Sequence, residues 1–361
     1  MVERAEIFRR HGPAYRAKCK DQMLPSHVRA MEAIEHCRTE ALGGHVYFCE
    51  HGQDYQYSDH SCKNRHCPTC QNGSANAWLQ RQQEMLLPVP YFLVTFTLPE
   101  ALRELARRHQ KLLYNTLFRA SAAALQTLAH DPRFGGGTIG RIGGLHTWTR
   151  ALHYHPHVHY LVPAGGLAGE GRPWLPARAD FLVPVTARSV GFRAKFRDAL
   201  RKTPVFDRVP ATGWEQDWVV HCKPVGTGAQ ALQYLAPYIF RVAISNNRIL
   251  TLEDGQVTFQ YKDSHTEQPK VCTLSAEEFI RRFLPHVLPD HFVKVRYYGL
   301  LSPGNREALH TVRELLGAQS PPSPLKEHAR DSTPATTTVH CPRCGHAMEL
   351  VETLRPQNRS P

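Results

Sequence analysis

The sequence predicts an α+β protein, with a central, mostly antiparallel sheet flanked by helices and a small cysteine-rich module ahead of it. Three observations carry that reading. From about residue 88 to 316, strand-like and helix-like patterns interleave without the strict alternation that a parallel sheet needs. Six of the ten cysteines fall between Cys19 and Cys70, where long apolar runs are scarce. Hydrophobic residues make up 42% of the 361, enough for one sizeable core with small appendages.

Residues 1–85 form the first region, 88–316 the second and 317–361 the third. In the second, residues 91–98 read as a buried strand stopped by Pro99. Residues 100–129 carry Leu102, Leu105, Leu112, Leu113, Leu117, Leu125 and Leu128 at helical spacing and predict one helix. Residues 135–144 read as a glycine-rich turn, 158–162 as a strand and 192–202 as a basic helix. A strand is expected at 218–222 and a helix at 228–240 with Pro237 inside it. Residues 248–252 and 256–261 predict a hairpin over Glu253-Asp254-Gly255, followed by a helix at 276–283. The third region is rich in Pro, Ser and Thr, lacks the apolar content for a core, and is expected to be flexible.

The formal net charge is +12, from 44 Lys and Arg against 32 Asp and Glu, and arginine supplies most of the excess. Such a balance favours a polyanionic partner, nucleic acid before membrane. No apolar run approaches the roughly 18 residues of a membrane span. The charged start, Met1-Val2-Glu3-Arg4, is unlike a secretory leader, so a cytoplasmic, reducing setting is expected. There, clustered cysteines read as metal ligands rather than disulfides.

Cys67-Pro68-Thr69-Cys70 is a metal knuckle, with Cys62, Cys49 and Cys37 upstream as further zinc ligands. Lys63, Asn64, Arg65 and His66 lie in its loop, which makes the module a DNA-reading element. Cys341-Pro342-Arg343-Cys344 is half a site, to be completed by His340, His346 or a partner chain.

The sharpest signal is His155-Pro156-His157-Val158-His159. Residues two apart in a strand share a face, so His157 and His159 can reach one divalent ion while Val158 faces the core. Two such histidines also fit the polar face of an ordinary strand. Tyr234 and Tyr238, four apart on a helix, share one face and would by themselves fit core packing equally well. Together the two features gain meaning. A tyrosine oxygen can form an ester with a nucleic-acid phosphate, and it needs a cation to polarise that phosphate.

The order of motifs resembles the two-tyrosine HUH rolling-circle transposases of the IS91-like and ISCR insertion sequences. It runs from Cys37-Arg38-Thr39 and Leu42-Gly43-Gly44-His45 through Ser61-Cys62-Lys63-Asn64-Arg65-His66-Cys67. Phe96-Thr97-Leu98-Pro99, His146-Thr147-Trp148 and the 155–159 histidines follow, then Tyr234-Leu235-Ala236-Pro237-Tyr238-Ile239-Phe240-Arg241 and the later stretches 242–246 and 278–284. The resemblance implies an HUH endonuclease core with His157 and His159 as metal ligands and Tyr234 and Tyr238 as nucleophiles. It further implies a 5′-phosphotyrosine adduct, a free 3′-hydroxyl, and Arg241 beside the nucleophiles as a DNA contact. Magnesium or manganese is expected at that site and zinc in the first module. Single-stranded DNA at mobile-element ends and host replication proteins are the expected partners. The family shows a Cys-x-x-Cys-Gly pair where this chain has Cys49-Glu50-His51-Gly52, so His51 stands in for the second cysteine. Pro237 replaces the family's arginine, removes a helical hydrogen bond and predicts a kink. The third metal ligand stays open among His146, His153, His155 and Gln230. A rolling-circle replication initiator, or an inactive zinc DNA-binding protein, is the alternative reading.

Overall fold

The computed structural model describes residues 3–67, 70, 72–131, 136–168, 174–178, 182, 185–240, 243–263, 266–317 and 338–356, without the side chains of 72–75, 185–187, 234–238 and 240. The fold is α+β. Its centre is a five-stranded, wholly antiparallel sheet in the order Val295–Tyr298, Arg141–Trp148, Tyr154–Pro163, Pro90–Thr97, Val220–Thr227.

Alternation gives the sheet two different faces. Val158, Tyr160, Phe92, Val94, Phe96 and Leu145 point to one, packed with the helices Gln110–Ala129 and Val185–Arg201 in the largest core. Phe96 meets Phe192 edge-on at 5.1 Å, and Tyr160 shares a 2.8 Å hydrogen bond with Ser121. The other face carries Tyr91, Leu93, Ile142 and Leu161 at one end, covered by the helix Gly228–Phe240 through Ala231, Leu232 and Ile239. Its other end carries the histidines.

The expected turn at 135–144 gives way to strand from Arg141 onward. The glycines are there for space: a Cβ on Gly143 would lie 2.5 Å from Cε1 of Tyr160 on the neighbouring strand. The single helix expected over 100–129 is three pieces, a 3-10 turn Glu100–Leu102 and helices Arg103–Arg108 and Gln110–Ala129. His109, at φ −126°, ψ 46°, closes the second and opens the third: its amide bonds Leu105 and its carbonyl accepts from Leu113. The hairpin holds as Ile249–Glu253 and Gln256–Lys262, turning on Asp254 and Gly255 at φ 48° and 71°, the left-handed pair this tight turn requires.

The N-terminal helices Arg4–Cys19 and Pro25–Glu35 share a second core with residues 243–287, where Phe8 meets Phe283 at 5.2 Å. After them, strands Gly44–Cys49 and Asp54–Asp59 pair, and a third strand, Glu349–Leu354, joins on the far edge of Gly44–Cys49. The end of the third region is therefore not loose chain: residues 338–356 fold onto the first module, because Gly44–Cys49 offers an open row of amides and carbonyls that this strand fills. No helix among the described residues is long and apolar enough to cross a membrane.

Candidate metal centre

His157 and His159 sit two apart on a central strand, and the next strand brings His146 beside them by pairing His146 with His157 and Gly144 with His159. Ring centroids stand 4.5 Å apart for His146–His159, 4.7 Å for His157–His159 and 5.3 Å for His146–His157. One nitrogen from each lies within 4.8 Å of the others. His157 donates from Nδ1 to its neighbour's carbonyl, His155 O, at 2.6 Å, which leaves Nε2 as the ligating atom. Thr95 Oγ1 lies 2.8 Å from His159 Nδ1 and fixes that ring in the same way. Burial drives the His157 pKa down to about 4 and those of His146 and His159 well below the ordinary range. Imidazole ligates a cation in its neutral form, so the donor set fits a divalent ion with positions left for a substrate.

Of the four residues considered for the third ligand, His146 joins the pair. The others have different partners: His155 Nδ1 with Arg103 at 2.8 Å, His153 with Arg282 at 3.4 Å, and Gln230 Oε1 with the Thr227 amide at 3.1 Å at the start of its helix.

That helix, Gly228–Phe240, carries Tyr234 and Tyr238 and continues past Pro237; the two tyrosine side chains, and Arg241 altogether, lie outside the described residues. Its last turn reaches the metal site. A Cβ on Gly144, the strand partner of His159, would stand 3.6 Å from Ile239 Cγ1. Lys294 donates to the Ile239 carbonyl at 2.7 Å and lies 5.1 Å from the centre of the Trp148 ring, and burial lowers its pKa to about 7. A cavity of about 370 Å³ opens there, lined by Trp78, Trp148, Ile239, His286, Lys294 and Tyr297 among others. Sequence reasoning missed Lys294 and Thr95, since neither belongs to a motif with recognisable spacing.

In the first module, Cys37, Cys62, Cys67 and Cys70 converge, with all four sulfurs within 4.8 Å and Cys37–Cys70 at 3.4 Å. Burial pushes the Cys37 thiol up to about 12, a penalty that a cation among four thiolates removes. The set fits tetrahedral zinc. Cys49 and His51 stand apart from it: Cys49 groups with Cys341 and Cys344, and His51 stacks on His346. In the knuckle loop, Lys63 is exposed, whereas Asn64 accepts from the His66 amide at 2.9 Å. Arg65 turns inward and donates to the carbonyls of Phe292 and Pro289, both at 2.6 Å, pinning the loop to the rim of the central sheet.

The two halves of this architecture each match a known protein class. A family described as a transposase zinc-binding domain matches residues 7–98, and one described as a putative transposase matches residues 140–308. The chain is 43% identical over 348 residues to a putative transposase of Sinorhizobium fredii, covering 91% of this chain and 87% of that protein. It is 29% identical over 283 residues to the transposase for insertion sequence element IS801 of Pseudomonas savastanoi pv. phaseolicola, covering 74% and 68%. No solved structure matches. The chain belongs to the IS91-like transposase family, enzymes that process DNA and carry a zinc-binding domain.

Proposed function

We propose that this transposase nicks single-stranded DNA at the ends of a mobile element through a tyrosine–phosphate intermediate. One observation carries the reading: His146, His157 and His159 converge on the sheet face that the helix bearing Tyr234 and Tyr238 crosses. A divalent ion, magnesium or manganese, held there would polarise the scissile phosphate. The chain's residues supply the rest. The oxygen of Tyr234 or Tyr238 attacks phosphorus, the bond from phosphorus to the 3′ oxygen breaks, and the tyrosine proton passes to solvent. The departing oxygen takes up a proton as a free 3′-hydroxyl, and the 5′ phosphate remains esterified to tyrosine. Because one phosphodiester bond is exchanged for another, a second 3′-hydroxyl can reverse the attack and join strands. A second tyrosine lets the enzyme hold one end while cutting another.

The His157 and His159 rings are held at Nδ1 by the His155 carbonyl and Thr95, so their remaining nitrogens would be the ones to hold such an ion. The exposed Lys63, the +12 charge and Arg241 support a DNA path across the chain, with host replication proteins as partners and the cytoplasm as the setting.

The test uses an end-labelled single-stranded oligonucleotide and a denaturing gel. Tyr234→Phe and Tyr238→Phe keep the rings and delete only the attacking oxygens. Each single variant is expected to leave some covalent adduct, and the double variant none, with unchanged melting temperature. An adduct in the double variant places the nucleophile elsewhere.

A further inference from the structure

We infer that Cys49, Cys341 and Cys344 form a second zinc site that clasps the end of the chain onto the first module. The three sulfurs lie within 4.8 Å of one another, and Cys49–Cys344 stand 3.5 Å apart. That is too far for a disulfide, and all the cysteines are free. It is close to the sulfur–sulfur spacing of about 3.8 Å that a tetrahedron with zinc–sulfur bonds of about 2.3 Å requires.

The backbone around the sulfurs has the form of two facing knuckles. The Gly52 amide donates to Cys49 Sγ at 3.2 Å, and the amides of Arg343 and Cys344 bond Cys341 Sγ. Each bond stabilises a thiolate, the form that ligates. The second knuckle is a tight turn, with Gly345 at φ 73° donating to the Cys341 carbonyl and the Cys341 amide bonding His346 O, both at 2.8 Å. Gly52 closes the space between the two turns. A Cβ there would fall 3.1, 3.5 and 3.6 Å from the sulfurs of Cys341, Cys49 and Cys344.

Apolar packing is a weak alternative explanation for this arrangement. The local core holds three buried residues, Cys49, Cys341 and Met348, with Tyr47 and Val339 partly buried beside them. A cluster of that size needs a staple to stay folded, and a closed zinc site is such a staple. Zinc takes four ligands, and the imidazoles of His51 and His346, stacked at 4.1 Å, belong to the same two turns. One of them supplies the fourth. On binding, the three thiols lose their protons to solvent. Cys341 and Cys344 lie beyond both matched family regions, which end at residues 98 and 308.

Elemental analysis of the full-length protein should find two zincs per chain. Cys341→Ser with Cys344→Ser should retain one, and Cys62→Ser with Cys70→Ser should retain the other. The cobalt-substituted protein should show the thiolate charge-transfer bands of two sites, and the first pair of substitutions should remove the three-sulfur set. His51→Ala and His346→Ala should differ, the ligand's loss lowering zinc affinity at this site and the other leaving it unchanged. A wild-type content of one zinc overturns the inference. So does a Cys341→Ser/Cys344→Ser protein that keeps both ions or loses both.

Discussion

Thr95 offers a test of the metal centre that leaves its ligands in place. Its hydroxyl lies 2.8 Å from Nδ1 of His159, in the middle of a strand whose neighbours on either side are His159 and His221. Thr95→Val keeps the β-branched shape that the strand favours and deletes that one hydrogen bond. The partial exposure of Thr95 limits the cost to fold stability to about 1 kcal/mol. The ring it held is then free to rotate. Losing such an orienting partner costs roughly 10- to 100-fold in metal affinity, or about 1.4–2.7 kcal/mol. In a nicking assay titrated with manganese, the half-maximal concentration should rise by that factor, while the rate at saturating metal stays close to wild type. An unchanged midpoint, or an equal loss of rate at every metal concentration, refutes the view that Thr95 acts by positioning His159.

Four further expectations follow from side chains elsewhere in the fold. His286 is 1% exposed, and burial holds its pKa at about 3. Above about pH 6.5 it is neutral folded and unfolded; below that the unfolded chain alone takes the proton, so stability falls with pH by about 2 kcal/mol at about pH 5. Urea unfolding of His286→Gln at the two pH values should show a drop smaller by that amount, and an identical drop rejects the assignment. Val158→Ala, at a fully buried site on the face opposite the histidines, should cost about 2–3 kcal/mol in urea unfolding without shifting the manganese midpoint. In the zinc loop, Lys63→Ala should weaken DNA binding and lower its salt slope by about one, as fluorescence anisotropy across a salt series would show. Arg65→Ala should instead lower stability by about 2 kcal/mol, since its bonds go to the protein's own carbonyls.

That contrast marks what a sequence can and cannot reveal. Strand parity placed His157 and His159 on one face and Val158 in the core, because side-chain direction in a strand is a local property. The knuckle Cys67-x-x-Cys70 was legible for the same reason. His146 was one of four candidates, and only the register across the 149–153 connection selects it. Arg65 has the composition of a phosphate contact, yet its direction depends on carbonyls over 220 positions away, a relation that spacing does not encode. The strand Arg141–Trp148 was hidden by glycines that serve close packing against Tyr160 rather than a turn. Cys49 and Cys341 lie in segments with unrelated patterns, and only pairing of Gly44–Cys49 with Glu349–Leu354 joins them.

That last pairing also sets an order of events at the ribosome. Gly44–Cys49 emerges early, and its outer edge has no partner until Glu349–Leu354 is made, about 300 residues later. At roughly 5–20 residues per second, the nascent chain carries an open strand edge for about 15–60 s. Bare edges invite pairing with other chains, so the first module is exposed to misassembly during that interval of synthesis. The same delay means that a chain cut short between Leu315 and Glu349 holds every strand of the histidine-bearing sheet and lacks the third strand of its first module.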